Sequence, residues 1–363
     1  MKLVLQTQLL PDAATAIRLR ETIERFNEAC KWTAGVAFEH QCSRAFNLHK
    51  IAYREIRDKF GLPADMAVRV LAQVCDAFKR DKTIQPKFRK HAAVPYSMGR
   101  NVSFKGIDRV SISTLDGRVV VPLLMGKYQD GRFSLKKGQS DLVLRKDGKW
   151  FLLVTVDIPD KTPIPTTDFL GVDLGLVQIA TDSDGNAYSG KPVEVVRRKH
   201  NLQRKRLQKR NTKGAKKKLE RISGKEARFR KHENHVISKS IVQTAERTGR
   251  SIALEDLTGI GQRVTARGKD ARNRLSGWGF AELGAFIAYK AQLAGIFVVY
   301  VDPRNTSRTC AKCGHVDKAN RKTQAKFLCL GCGHAANADQ NAAENISAQA
   351  VRKSALELAS LRA

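Results

Sequence analysis

The chain has 363 residues, enough for two or three domains and a substantial core. Lys and Arg number 66 against 35 Asp and Glu, a net charge of +31 that calls for a polyanion partner. No apolar run of about 18 residues occurs and Pro11 ends the first short strand-like stretch, so neither a membrane span nor a signal peptide is expected. Residues 1–10 alternate as one strand. From Asp12 the period changes: Ala16, Leu19, Ile23, Phe26 and Cys30 recur at steps of three and four, the stripe of a helix. Helical sequence runs to about Lys59 and breaks at Gly61-Leu62-Pro63, and a last helix carries Ala67, Val70, Leu71, Val74 and Phe78. These stripes are bundle packing. Lys79, Arg80, Lys82, Lys87, Arg89 and Lys90 follow as a basic exit.

From Val94 to about Pro159 the character is β. Asp116-Gly117 and Asp147-Gly148 sit between apolar or alternating runs as hairpin turns do, and Trp150 to Val156 reads as a buried strand. The first strand is expected to join this sheet, which makes the helical bundle an insertion. Pro159, Pro163 and Pro165 mark a linker, and a further unit starts near Thr166.

That unit opens with Phe169-Leu170-Gly171-Val172-Asp173-Leu174-Gly175. A carboxylate in an apolar strand loses hydration, a cost that a cation or hydrogen-bond donors must offset. Leu176 to Gly185 reads as a second strand running into an Asp-Gly turn. Arg197 to Lys231 is the most charged segment, and its acids are only Glu220 and Glu226, too few to lace it with salt bridges. Contact with a nucleic-acid backbone is expected through Arg197, Arg198, Arg204, Lys205, Arg206, Lys209, Arg210, Lys216, Lys217 and Lys218. Asn211 to Gly214 is read as the turn between two antiparallel helices, and Thr248-Gly249 as a helix end. Ser251 to Leu257 is a short apolar strand finishing in Glu255 and Asp256. Gly259 to Gly277, rich in Gly, Arg and Lys, reads as a mobile loop. A helix over Phe280 to Ala294 and a strand over Phe297 to Val301 complete this part.

Seven cysteines are present; Cys30, Cys42 and Cys75 are scattered, and four are paired. Cys310, Cys313, Cys329 and Cys332 form C-x2-C-x15-C-x2-C, the spacing of a zinc ribbon in a reducing compartment. Four thiolates close a tetrahedral shell, so one structural zinc is expected, with His315 and His334 not needed. Asn337-Ala338-Asp339-Gln340-Asn341-Ala342-Ala343-Glu344-Asn345-Ile346 follows, with Asp339 at a helix start and alanines that allow close packing. Asp173, Glu255 and Asp339, distant in sequence, can converge around a cation. Their hard oxygens suit Mg2+, and paired Mg2+ ions about 3.5–4 Å apart hydrolyse phosphodiesters. Asp256 rivals Glu255, but alternation from Ala253 favours Glu255.

The order GVDLG, ALEDL, zinc ribbon, NADQNAAENI resembles the RuvC-like nuclease core of the transposon-encoded TnpB (OrfB) family, compact relatives of type V CRISPR effectors. The likeness extends to Asp302-Pro303-Arg304-Asn305-Thr306-Ser307, to the basic helical pair, and to the front of the chain with Pro86-Lys87-Phe88-Arg89. It implies a multidomain α/β fold: an RNase H-like (RuvC) nuclease core with an inserted zinc ribbon, behind a β-barrel-like wedge domain with an inserted helical bundle. The implied domains are a wedge at 1–10 and 86–160, a helical recognition domain at 11–85, a nuclease domain at 166–303 and 334–363, and a target-binding ribbon at 304–333. It also implies a guide RNA from the transposon end, recognition of double-stranded DNA beside a short adjacent motif, and cleavage at one site. Asp173, Glu255 and Asp339 match the family triad. Catalytic Mg2+, one Zn2+ and guide RNA would be the cofactors, in a prokaryotic, cytoplasmic, nucleoid-associated protein compatible with a monomer. The family usually carries an aromatic where Asn305 stands, and Arg-x-aromatic-x-Cys where this chain has Lys326-Phe327-Leu328-Cys329. A catalytically silent RNA-guided repressor and a guide-independent nuclease or transposase are the alternatives.

Overall fold

The computed structural model describes residues 1–135, 137–162, 166–259 and 279–360, in two units, Met1–Pro159 and Asp160–Ala363. Pro163, Pro165 and the Gly-, Arg- and Lys-rich stretch 260–277 lie outside the described residues. In the first unit, strand β1 (Lys2–Leu9) leads into three helices, α1 (Ala13–Glu39), α2 (Ala45–Phe60) and α3 (Ala64–Phe78). Asp12 starts α1 by accepting the Thr15 N–H at 2.7 Å, an N-cap contact. Gly61 ends α2 at φ 61°, a left-handed conformation that glycine adopts without a Cβ clash. The apolar stripe read from the sequence is buried: Leu19, Ile23, Phe26 and Cys30 are all fully covered, with Val70, Leu71 and Val74 of α3 in the same core.

The chain then forms β2 (Val94–Tyr96), β3 (Val102–Lys105), β4 (Arg109–Thr114), β5 (Gly117–Leu124), a single turn of helix α4 (Lys127–Asp130), β6 (Lys137–Leu144) and β7 (Trp150–Asp157). With β1 they make a seven-stranded sheet in the order β2-β6-β7-β1-β5-β4-β3. β1 pairs antiparallel with β7 along its whole length, from Lys2↔Asp157 to Leu9↔Trp150. The helices therefore interrupt one sheet, as expected from the sequence. The Tyr96 hydroxyl on edge strand β2 donates to the Ser113 carbonyl on β4 at 3.0 Å. The sheet is thus curled far enough for elements near its two ends to touch.

The second unit begins with β8 (Phe169–Asp173), β9 (Gln178–Asp182) and β10 (Ala187–Ser189), an antiparallel meander. Three helices follow, α5 (Lys191–Arg210), α6 (Lys213–Ile222) and α7 (Lys225–Thr248). The expected pair of basic helices is thus a set of three. Asn211 ends α5 in the left-handed region at φ 47°, Lys213 and Gly214 are already helical, and Gly224 at φ 73° makes a second break before α7. Strand β11 (Ser251–Glu255), helix α8 (Phe280–Ala294) and strand β12 (Val298–Val301) come next. The short hairpin β13 (Lys326–Leu328) and β14 (Ala335–Asn337) leads into the long helix α9 (Ala338–Ser360).

The sheet order is β10-β9-β8-β11-β12, with β11 parallel to both β8 and β12. Strand alternation separates two cores. Leu170, Val172, Ile252 and Leu254 pack with Ile237 and Ile241 of α7 and with Leu283 and Ile287 of α8. Phe169, Ala253 and Val301 pack with Ile346 and Ala350 of α9. At Gly171 the helix meets the strand backbone to backbone: an added Cβ would stand 2.0 Å from the Ala343 carbonyl oxygen. No helix among the described residues is long and apolar enough to cross a membrane.

Candidate active site and cysteine cluster

Asp173 has the parity of Phe169 and Gly171, and Glu255 that of Ala253, so both point to the α9 side of the sheet. The parallel register Ala253↔Gly171 and Leu254↔Val172 continues to set Glu255 beside Asp173 at the carboxyl ends of the strands. That end of a parallel sheet is where α/β folds commonly bind ligands. Asp339 arrives in the first turn of α9, where Asn337 caps the helix by accepting the Asp339 N–H at 2.9 Å and the Gln340 N–H at 3.2 Å. All three acids line one cavity of 360 Å³, together with Asp256, Thr306 and Arg321.

Asp173 is the least compensated of the three. Burial, then the charges of Glu255 and Asp339, push its carboxyl up to about 7 against the opposing pull of Arg321. Burial also raises Glu255, opposed by the Thr306 hydroxyl and by Arg321. Arg321, from the segment between the cysteine pairs, donates to Asp339 Oδ1 at 2.9 Å and to the Gln324 carbonyl at 3.0 Å. Among the described residues lining the cavity it is the sole cation. The site thus holds more negative charge than its own donors neutralise, the condition a divalent cation relieves. Asp256 also reaches this cavity and accepts the Thr258 N–H at 3.0 Å.

Four supporting residues were not assigned a role from the sequence. Thr306, 3% exposed, donates to Glu255 Oε1 at 2.5 Å. Asn341 and Asn345, one helical turn apart on α9, bond the backbone of residues 306–311. Arg321 sits in a basic stretch without period and carried no signal, whereas the Asn pair at i, i+4 could have been read as one helix face. Asn305 takes φ 61°, and asparagine tolerates this left-handed conformation better than the aromatic usual at that position in the resembled family.

The Sγ atoms of Cys310, Cys313, Cys329 and Cys332 all lie within 4.8 Å of one another. The Cys310–Cys332 and Cys313–Cys329 separations are 3.8 and 3.6 Å. Four sulfurs around a tetrahedral zinc, with Zn–S about 2.3 Å, stand about 3.8 Å apart. The two knuckles repeat one backbone pattern. Cys310 N–H donates to His315 O and Gly314 N–H to Cys310 O, and likewise Cys329 N–H to His334 O and Gly333 N–H to Cys329 O. Gly314 and Gly333, at φ 77° and 71°, make the turns. The cluster is able to hold a zinc ion without either histidine.

The basic helices are less uniform than composition suggested. Glu194, just before the basic run, pairs with Arg197 at 2.7 Å and with Arg198 at 2.6 Å, and Glu226 takes Arg204 at 2.6 Å. Some lacing therefore exists, and the Arg197 side chain is only 15% exposed. Lys205, Arg206, Lys209, Arg210, Lys216, Lys217 and Lys218 are exposed and carry the free charge of this surface.

Residues 152–258 match the family model of the OrfB_IS605 probable transposase, and residues 280–346 that of the Cas12f1-like TNB domain. The InsQ protein of Escherichia coli (strain K12) is 28% identical over 313 residues, 81% of this chain and 75% of that protein. The Cas12f1 CRISPR-associated endodeoxyribonuclease of Sulfoacidibacillus thermotolerans is 32% identical over 243 residues, 62% of this chain and 56% of the relative's length. The TnpB-like protein MJ0751 of Methanocaldococcus jannaschii is 29% identical over 252 residues, 63% of this chain and 86% of that protein. The fold is like that of Cas12f1 in its complex with sgRNA and target DNA, with a TM-score of 0.66 at 18% identity, over 91% of this chain and 82% of that one.

Proposed function

We propose that this chain, which belongs to the TnpB (OrfB) family, is an RNA-guided DNA endonuclease that cuts in the pocket of Asp173, Glu255 and Asp339. The observation that carries this reading is the convergence of three acids, drawn from two parallel strand ends and a helix start, into one cavity with a single cation among its described residues. On this reading the second unit is an RNase H-like (RuvC) core with an inserted zinc ribbon at 304–333. The seven-stranded sheet is then the wedge, and α1 to α3 the recognition bundle. The endodeoxyribonuclease names of the Cas12f1 relatives support the activity.

The donor set fits Mg2+: hard carboxylate oxygens, one of them buried and uncompensated enough to keep a proton near neutrality. When bound there, Mg2+ would supply an activated water and charge stabilisation at the leaving oxygen. The chain's own residues prepare that site. Asp173 and Glu255 present adjacent carboxylates from a rigid sheet, and Asp339 closes the cavity from α9. Thr306 fixes one oxygen of Glu255, and Arg321 reduces repulsion while keeping Asp339 turned inward. Lys205, Arg206 and the Lys216–Lys218 run offer a sequence-blind contact to the guide or the paired backbone.

The test is a cleavage gel beside binding assays for guide RNA and target DNA. Asp173→Ala should lose cleavage of both strands and keep both kinds of binding. Cutting by Asp173→Ala at the parent rate rejects this site. Cutting by the parent chain without any RNA makes it a guide-independent nuclease.

A further inference from the structure

Thr306 lines the acid cavity beside Glu255. Its hydroxyl is within reach of Glu255 Oε1 at 2.5 Å and of the Pro303 carbonyl at 3.1 Å. A hydroxyl has one proton to give, and the nearer, charged acceptor takes it. The carbonyl of the same residue accepts from Asn345 Nδ2 at 2.9 Å. The second proton of that amide goes to the Thr309 carbonyl at 2.7 Å, so both of its N–H bonds are used. One turn earlier, Asn341 Nδ2 donates to the same Thr309 carbonyl at 2.8 Å, and its Oδ1 accepts the Ala311 N–H at 3.0 Å. Asn341 is fully buried and Asn345 is 5% exposed, so these bonds face no competition from bulk water.

We propose that Thr306 and Asn345 form a positioning relay that ties Glu255 on β11 to the helix bearing Asp339. The relay rests on the nuclease reading given above. Its path is continuous: Glu255 carboxylate, Thr306 side chain, Thr306 backbone, Asn345 side chain, α9, Asp339. Asn341 anchors the same segment next to Cys310, so the cysteine cluster braces the relay from its other end. Thr306 lines the cavity, but its hydroxyl is committed to Glu255, and the Asn345 amide is committed to backbone carbonyls. Their work is to hold two acids, carried on a strand and on a helix, at the separation a cation requires, which is how partners of metal ligands commonly act.

Thr306→Val removes the donor at nearly constant volume, and Thr306→Ser keeps the donor and drops the methyl. Mn2+ binding is read from the paramagnetic resonance of the free ion, with the chain loaded with guide RNA and no DNA present. The Mg2+ concentration for half-maximal cleavage is read separately, and zinc content and RNA binding report folding. Thr306→Val should weaken Mn2+ binding and raise the Mg2+ requirement about 10–100-fold. Thr306→Ser should return both to within a few-fold of the parent. Asn345→Ala should act in the same direction, and the double variant should fall short of the product of the singles, because both cut one path. Unchanged Mn2+ binding in Thr306→Val overturns the relay. So does a Thr306→Ser variant as impaired as Thr306→Val, which would make the methyl packing decisive. Hydrogen exchange at the Ala311 amide decides independently of Mn2+ and Mg2+. Faster exchange in Thr306→Val, restored in Thr306→Ser, supports the relay, and unchanged exchange rejects it. A failure of the nuclease reading itself would show separately, as full cutting by Asp173→Ala.

Discussion

The last cysteine of the cluster and Asp339 of the acid pocket stand seven residues apart, yet the two sites are built by opposite means. The cysteine cluster is local. Two knuckles repeat the same backbone bonds, and two of the sulfur pairs already stand at the edge length of a metal tetrahedron. The acid pocket is assembled from β8, β11 and α9, and its members repel one another. A closed shell of soft ligands makes a staple, and an open set of crowded hard ligands makes a reactive site. The difference lies in who compensates the charge. Backbone N–H groups reach the cysteine sulfurs and a zinc ion held there would complete their compensation, whereas Asp173 is opposed only by the charge of Arg321 and the Leu174 N–H.

Breaking the staple should have the largest effect. Structural zinc contributes about 10–16 kcal/mol to folding in small zinc modules, so Cys329→Ser should cost one zinc and disorder the segment from 304 to 333. Metal analysis and hydrogen exchange would read this. Cleavage should fall with it, because Arg321 and the Asn341 bonds hold Asp339 through that segment. Next comes Asp173→Ala, whose cleavage should drop beyond the 10–100-fold typical of outer partners, while its zinc content stays unchanged. An equal loss of zinc would dissolve the distinction between the two clusters.

A pH titration sharpens the comparison further. A carboxyl raised from 3.8 to about 7 keeps its proton longer in the folded than in the unfolded chain. Without added Mg2+, the contribution of Asp173 to stability is therefore fully present below about pH 4 and is lost as the pH climbs through about 7, by on the order of 2–4 kcal/mol. Asp173→Asn should flatten that loss in denaturant melts, and Mg2+ should offset it in the parent. The smallest effect belongs to the surface. Replacing Lys216, Lys217 and Lys218 with Gln should lower RNA affinity for all sequences alike and reduce the salt slope by about 2–3 units. Removing Arg197, already held by Glu194, should change the slope far less.

Much of this was legible because it obeys short periods. Leu19 to Cys30 marked a helix, the Asp-Gly pairs marked hairpins, and the cysteine spacing alone specified the cluster. Strand alternation from Ala253, a local rule, put Glu255 on the face of Asp173, although Asp256 lines the same cavity. Three features were not legible. Glu194 lies outside the basic run it neutralises. Gly224 divides what composition presented as one helical arm. Arg321 and Thr306 act across contacts that close only when α9 docks, and no local period records such a contact.

The meeting of Gly171 with the Ala343 carbonyl also has a meaning in the order of synthesis. A ribosome makes β8 long before α9: at about 5–20 residues per second, residue 339 follows residue 173 by roughly ten to thirty seconds. Throughout that interval the glycine face of β8 has no helix upon it, and Asp173 has no Asp339 opposite. On the proposed reading, the nascent chain can fold its front unit and offer its basic helices to RNA before the acid pocket is complete, so capacity to bind is translated before capacity to cut.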